Sequence, residues 1–509
     1  MNRISRITIL IMALLALLPQ GIDARIRWIG MGKGHDSIPY SQIKNKGLMI
    51  VDIHTNRNEW PRCDYVYAPI DGWGKSITNV TRVPGRLIIT DGDNQLYDSG
   101  EYVEESSGMT LSLRGNSSAF YPKKPYKIRL QSKADLLCRN NANYRDKQFI
   151  LICDEELKAF QGFELSRLLG MTWVPGYRYV NLIINDEYCG VYMLTENARR
   201  NTNCRLNVKK DGFIFECDAY WWNEDYYIPS LIDTHLNFTF KYPEPEELTD
   251  AQKAYMTQLL NAYEYSLWDG TYPDYIDVPS FARWCLGQDI LATRDAAGVN
   301  RYYTKYDATS SSKLVMPMMW DFDSAEGDTT NWSVVHQMFM FPLFESSNRT
   351  FVNEYVAQWE AVAPILYTSM YNVINNFKST QQGQGIMASM PLNNTRWDSN
   401  YPTYSFFYFR AQWFKTRFDW LNRNILALIP RGDVNLDGVV DVSDVNIIIN
   451  KILKGDQSDK RHADLNGDDN IDVSDVNEVI NIILTSNPHT PDDPVDPDDP
   501  DDPDNPGDR

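Results

Sequence analysis

The sequence predicts an α+β protein: a strand-rich first half, a helix-rich second half, and a small all-α module near the C-terminus. Three observations carry this. Short apolar runs bounded by turn signals, two of them with clean period-two alternation, recur up to about residue 216. Helix-start signals and helical spacing take over from Thr249 to Leu428. A tandem repeat of aspartate-rich loops, offset by 31 positions, begins at Asp433. At 509 residues the chain has room for two or three domains.

Met1 to Ala24 reads as a secretory signal peptide, with Arg3 and Arg6 ahead of the apolar run Ile7–Leu18 and the small residue Ala24 at the end. The run is too short to span a bilayer, and no later segment is apolar enough to do so. The expectation is an exported protein without a membrane span. Gly30 to Gly34 and Gly74-Lys75-Ser76 look like phosphate loops but lack the glycine or Ser/Thr spacing that such loops need, so they read as turns.

From Gly47 to Gly108 short apolar runs such as Leu48–Val51 and Leu87–Ile89 alternate with turn signals, which predicts strands. Met109, Leu111 and Leu113 share one strand face. After the turn Gly115–Ser118, Tyr126, Ile128 and Leu130 do the same. Arg114, Lys127 and Arg129 would then form either a basic face suited to phosphate oxygens or an ordinary solvated sheet face. Ala159–Leu169 has helical spacing and carries Glu164. Tyr177–Ile184 and Tyr188–Leu194 flank Asn185-Asp186-Glu187 as a hairpin that delivers Glu196, and Phe213–Glu216 is a further strand. Thr249-x-x-Gln252 is a capping box, Pro279 opens another helix, and Phe351–Phe377 and Phe406–Leu428 are aromatic-rich helical segments.

The stretch from Arg294 to Asp323 holds the chemistry. Arg294-Asp295 is followed by Asn300, then by the strand-like runs Tyr302–Tyr306 and Lys313–Met319, and closes on Trp320-Asp321-Phe322-Asp323. Protein kinases use this order: an Arg-Asp-x4-Asn loop, a hairpin, then a metal-binding aspartate. Metal-bridged phosphates require hard oxygen ligands, and a separate carboxylate must receive the proton of the attacking hydroxyl.

Four blocks in order resemble the spore-coat protein H (CotH) kinase family over roughly residues 47–429: Leu113–Ser118, Pro122–Lys127, Asn185–Glu196 and Trp320–Asp323. The resemblance implies an atypical protein-kinase-like fold that binds ATP with Mg or Mn and phosphorylates exported proteins. It implies that Lys127 holds nucleotide phosphates, that Asp295 is the base, and that Asn300 and Asp321 bind the metal, with Asp323 as an additional ligand. Arg114 and Glu196 belong to matching blocks as nucleotide-site candidates, and the helix spacing makes Glu164 the candidate partner of Lys127. Thr293 stands where ordinary kinases have His, Asp323 where they have Gly, and no Gly-x-Gly-x-x-Gly loop is present.

In the repeat, Asp433, Asn435, Asp437, Asp441 and Asp444 occupy loop positions 1, 3, 5, 9 and 12, with Val439 at 7. Asp464, Asn466, Asp468, Asp472 and Asp475 repeat the pattern, with Asn470 at 7. This is calcium-loop spacing, with side-chain oxygens and one backbone carbonyl as donors. Asn470, which tolerates positive φ, is expected to do the work of a second glycine. Each loop runs into one apolar helix, Val445–Leu453 or Val476–Leu484, without an entering helix. The unit resembles a type I dockerin. That implies two bound calcium ions and a cohesin partner met by the helix faces, with Val442-Ser443 and Val473-Ser474 at contact positions.

The expected domains are the signal peptide 1–24, a kinase-like domain 25–429, a dockerin 430–487 and a disordered Pro/Asp tail 488–509. Of the formal charge of −19, residues 430–484 contribute −7 and the tail −8, so the main body is near neutral and a nucleic-acid surface is excluded. Seven scattered cysteines form no C-x-x-C pair and no zinc spacing, and Cys153, Cys189 and Cys285 read as buried core residues. Three functions stay open: a secreted kinase acting on a protein substrate, a non-catalytic pseudokinase-like binding component of a cohesin–dockerin complex, and a carbohydrate-active enzyme.

Overall fold

The computed structural model describes residues 38–486, except 71, 73, 297–299, 337–338, 400, 402–404 and 459. The leader expected over 1–24 and the tail expected over 488–509 lie outside the described residues. Two compact units are present: one runs to Ser346 and resumes over Thr350–Arg423, and the other comprises Ser347–Arg349 and the chain from Asn424.

The first unit opens with a helical turn, α1 (Tyr40–Ile43), then β1 (Met49–Thr55), β2 (Asp64–Tyr67), β3 (Lys75–Thr78), β4 (Val83–Asp91), β5 (Asn94–Asp98), β6 (Met109–Leu113), β7 (Tyr126–Ala134) and β8 (Asp146–Ile152). Helix α2 (Lys158–Leu169) precedes the hairpin β9 (Tyr177–Ile184) and β10 (Glu187–Glu196). Eight of these strands form one sheet in the order β1-β9-β10-β8-β7-β6-β4-β5, and β1 also pairs with β4, so the sheet closes on itself. Val51 lies opposite Leu182 on one side and Ile89 on the other, which shows how the inward positions meet. Alternation fills this interior: Val51, Ile89, Leu111, Ile128, Phe149 and Leu182 belong to one buried cluster. Burying each such side chain is worth about 1.5–3 kcal/mol. The β9–β10 turn places Asn185 at φ 51 and Asp186 at φ 64, the two left-handed residues of a type I′ hairpin.

A second, five-stranded sheet has the order β12-β13-β11-β14-β15. Its strands are β11 (Phe213–Asp218), β12 (Tyr227–Ile228), β13 (Asn237–Tyr242), β14 (Arg301–Lys305) and β15 (Leu314–Val315). Between β13 and β14 lie α3 (Asp250–Asp269), started by the Thr249–Gln252 capping box, and α4 (Val278–Leu291), with Pro279 in its first turn. Then follow α5 (Phe341–Glu345), α6 (Thr350–Phe377), α7 (Gln381–Trp397) and α8 (Ser405–Leu426).

Two elements differ from expectation. The run Lys313–Met319 is a strand only at Leu314–Val315, because the backbone leaves the sheet. Met316 N–H bonds Ser280 Oγ at 3.2 Å, and Pro317, which cannot donate, accepts from Trp173 N–H at 3.0 Å. Helix α7 was not anticipated, since Gln, Gly, Asn and Pro391 obscure its period. It forms against the outer face of β10. Asn393 Oδ1 accepts from Val191 N–H at 3.0 Å and Lys123 Nζ at 2.9 Å, in space that any side chain at Gly190 would fill. All seven cysteines are free, Cys189 and Cys285 being buried and Cys153 half-buried.

The second unit contains α9 (Val442–Lys454), the short α10 (Lys460–Ala463) and α11 (Val473–Ser486). Its core is Val445, Ile448, Ala463, Ile471, Val476 and Val479.

Candidate active site

Helix α4 ends at Ala292, whose left-handed φ of 49° turns the chain into Thr293-Arg294-Asp295. This loop is stitched to the segment that follows β15. Glu326 N–H bonds Leu291 O at 2.7 Å, Gly327 N–H bonds Ala292 O at 3.0 Å, and Arg294 N–H reaches Ser324 O at 3.4 Å. Between side chains, Ser324 Oγ donates to Asp295 Oδ1. The fold therefore brings Asp295 beside the segment carrying Asp321 and Asp323. Asn300 lies immediately before β14, whose Arg301 pairs with Cys217 of β11. Asn300 (φ 64) and Asp321 (φ 58) both occupy the left-handed region. For residues other than glycine this costs of order 1–3 kcal/mol, and such strain persists only where the surroundings enforce it.

Phe322 fixes the direction of its two neighbours. It is 2 % exposed and lies flat on Gly162 of α2, where an added Cβ would come within 2.4 Å of its ring. Phe163 meets it edge-on at 5.5 Å. With Phe322 pointing into the fold, Asp321 and Asp323 on either side are exposed. Lys158 Nζ donates to Asp323 O at 2.9 Å, and Asp154 caps α2 through the N–H groups of Ala159 (2.9 Å) and Phe160 (3.2 Å).

The charges converge from both sheets. Lys127 lies opposite Ser112 in the β6–β7 ladder and is half-buried. Burial lowers its pKa to about 8; Arg82, Arg114 and Arg199 push the same way, and Glu244 opposes them. Asp321 is raised above the usual carboxylate range by protein packed around it, by Asp323 and by Asp295, with Arg114 opposing. Solvent reaches this carboxylate, which limits the effect of burial, but the neighbouring acids act in the same direction. Asp295 is also raised, by burial first, while its hydrogen bond from Ser324 holds it down. The charges of Asp323, Asp295 and Arg114 thus act on Asp321, and that of Arg114 acts on Lys127 as well.

Two expected residues serve elsewhere. Glu164 is taken by Arg167 (2.5 Å) and the Tyr177 hydroxyl (2.7 Å), so the expected Lys127–Glu164 pair is not formed. Helix α2 turns Phe160 and Phe163 inward and leaves Glu164 to its own next turn. Glu196, 2 % exposed, is held by Arg139 at 2.7 Å and Gly176 N–H at 2.8 Å. Lys123 and Lys124, beside Lys127 in sequence, are buried: Lys123 pairs with Glu155 at 2.5 Å and Lys124 bonds Ala119 O at 2.7 Å.

The structure adds residues that sequence reasoning missed. Glu216 on β11 is paired with Lys241 at 3.4 Å, burial raises its pKa to about 7, and its charge acts on Asp321. The signal was present, since a carboxylate inside the fully buried strand Phe213–Asp218 needs a reason to be there. The Tyr220 hydroxyl lies 2.9 Å from Ser117 Oγ in the turn after Arg114, and the charges of Asp321 and Asp295 reach it.

In the C-terminal unit, Asp444 Oδ1 accepts from Val434 N–H (2.8 Å) and Asn435 N–H (3.0 Å), and Asp433 Oδ2 from Gly438 N–H (2.8 Å). The second loop repeats this with Asp475 Oδ1 on Leu465 N–H (2.7 Å) and Asp464 Oδ2 on Asp469 N–H (2.9 Å). Asp444 and Asp475 are 0 % exposed, and neither pairs with a lysine or arginine among the described residues. Among those residues no three or more His, Cys, Asp and Glu side chains already form a metal-holding group. The donors are nevertheless hard oxygens at calcium-loop spacing, and burial together with Asp444 and Asp437 raises Asp433, an excess of negative charge that a cation relieves. The left-handed residues are Leu436 (φ 64) and Gly438 (φ 93) in the first loop, and Gly467 (φ 73) and Asp469 (φ 75) in the second. The positive φ expected at Asn470 falls on Asp469 instead.

The family model described as CotH kinase protein matches residues 111–381, and the one described as Dockerin type I domain matches 431–484. The chain matches none of the curated proteins with which it was compared. Among the described residues no helix is long and apolar enough to cross a membrane. The matched segment spans Arg114, Lys127, Asp295, Asn300, Asp321 and Asp323. The chain belongs to the CotH kinase protein family and carries a type I dockerin domain near its C-terminus.

Proposed function

We propose that the kinase-like domain, residues 25–429, transfers the γ-phosphoryl group of ATP to a hydroxyl of a protein substrate. The dockerin, residues 430–487, would fasten the exported enzyme to a cohesin-bearing extracellular scaffold. The observation that carries this reading is the stitching of the Asp295 loop to the Asp321–Ser324 segment, with the Arg114 charge reaching Asp321. Asp321, Asp323 and Asn300 supply hard oxygens with more negative charge than the protein itself balances, which fits Mg or Mn. Such an ion, when bound, supplies charge neutralisation at the phosphates.

Lys127 and Arg114 would grip the phosphates, and the three arginines that depress the Lys127 pKa make an anion welcome there. Asp295 would accept the acceptor's proton as its oxygen bonds to the γ-phosphorus and the bond to the ADP oxygen breaks. In the dockerin, Asp433, Asn435, Asp437, Asp441 and Asp444, with Asp464, Asn466, Asp468, Asp472 and Asp475, would hold two calcium ions, the backbone carbonyls of Val439 and Asn470 adding one donor each. Val442 and Val473, 65 % and 62 % exposed, offer apolar contacts to a cohesin.

Calorimetric titration of the full chain with ATP and Mn²⁺ tests the site. Wild type should bind, Lys127→Ala should weaken binding at least about tenfold, and Asp321→Ala should remove its metal dependence. A chain that binds no nucleotide would return the kinase-like domain to the non-catalytic binding reading.

A further inference from the structure

A general base works only if its carboxylate is held at the right angle to the acceptor. Helix α4 positions the backbone before Asp295, but orienting the side chain falls to a residue on the opposite segment. The Ser324 hydroxyl donates to Asp295 Oδ1, and the same Oγ accepts from the Asp295 backbone N–H at 3.4 Å. The main chain joins in, with Arg294 N–H to Ser324 O at 3.4 Å. A serine hydroxyl has one proton to give and lone pairs to accept with, and here both roles are directed at one residue.

We propose that Ser324 is a positioning residue for phosphoryl transfer, a reading that rests on the proposed function of Asp295. By fixing Oδ1 it stops the carboxylate from rotating and leaves Oδ2 to take the acceptor's proton. Ser324 follows Asp323 directly and lies three residues after Asp321, so the same contact sets the spacing between the base and the metal-side acids. A serine one position past Asp-Phe-Asp carries no signal in the sequence, because its partner lies 29 residues upstream.

The test measures steady-state transfer from ATP with Mn²⁺ to a protein acceptor, using the full chain. Ser324→Ala should lower kcat by roughly ten- to hundredfold, the range expected when a general base is misplaced. KM for ATP should stay within about twofold, and Ser324→Thr, which keeps the hydroxyl, should recover most of the loss. In an Asp295→Asn background, Ser324→Ala should lower the residual rate no further, because its effect passes through Asp295. If Ser324→Ala does not fold, Ser324→Cys, a weaker donor of similar size, carries the same expectation.

An unchanged kcat in Ser324→Ala overturns the inference. So does a loss that persists undiminished in Asp295→Asn, or one that appears mainly in KM. A wild-type chain without transfer removes the phosphotransferase reading itself. A wild-type chain that transfers beside an equally active Ser324→Ala removes only the role of Ser324.

Discussion

Asp321 has a left-handed backbone, and the protein packed around it and two neighbouring acids oppose its negative charge. Its folded-state pKa lies above the unfolded value, so ionisation costs stability above the unfolded pKa, and that cost is relieved as pH falls through the folded pKa. Asp321→Asn removes the charge at nearly constant shape. It should raise the thermal midpoint at neutral pH while abolishing transfer, as calorimetry and a transfer assay on the same variant would show. A lowered midpoint would mean that the carboxylate stabilises the fold. Without metal, wild type should gain on the variant as pH falls toward the acidic range, since protonation then does what the substitution does. Lys127 follows the opposite logic: its folded pKa is lowered to about 8, so its charge is fully present only below that value, and nucleotide affinity should fall as pH rises past it.

Among the contacts between helix α2 and the Asp321–Asp323 segment, the tightest is Gly162 against Phe322. Gly162→Ala places a methyl group where the ring lies, so Phe322 must move and turn both aspartates with it. Overpacking of this kind costs about 1–3 kcal/mol, and transfer should fall further than stability alone explains. A variant with wild-type stability and activity would show that Phe322 does not set the aspartates' direction. In the first calcium loop, Leu436 bears the left-handed strain that Gly467 relieves at the matching position of the second. Leu436→Gly should raise the melting temperature of the C-terminal unit, being worth up to about 1 kcal/mol in scanning calorimetry.

These elements also show what could be read from the chain. Period-two alternation located β6 and β7, the Asn185-Asp186-Glu187 turn located β9 and β10, and capping signals located α3 and α4, because those patterns are local. Asp295, Asn300 and Asp321 stood out for the same reason: their order along the chain is itself the signal. What escaped was set across the fold. Glu216–Lys241 and Asp295–Ser324 join distant segments, and α7 is tied to β10 through Asn393, 202 residues from its partner Val191. The Glu164 expectation rested on helix spacing alone, which does not reveal that Arg167 and Tyr177 offer it nearer partners.

At the scale of the whole molecule, the proposed chemistry and the proposed attachment fall to different units. The kinase-like part is near neutral, while most of the net charge of −19 sits in the aspartate-rich repeat and the Pro/Asp tail. Two compact units with separate cores should unfold as separate transitions. Chelating calcium should lower only the C-terminal one, by up to about 4 kcal/mol per site relative to a thousandfold excess of calcium over Kd. A shift in the larger transition would show that the units are thermodynamically coupled.

On the proposed function, the stitched Asp295 and Asp321 segments form a working phosphotransferase. The most direct test incubates the full chain with γ-labelled ATP, Mn²⁺ or Mg²⁺ and a protein acceptor, beside Asp295→Ala and Asp321→Ala. Metal-dependent label should appear on the acceptor, and both variants should lose it by at least about a hundredfold. Label transfer that survives undiminished in either variant would contradict the proposed function.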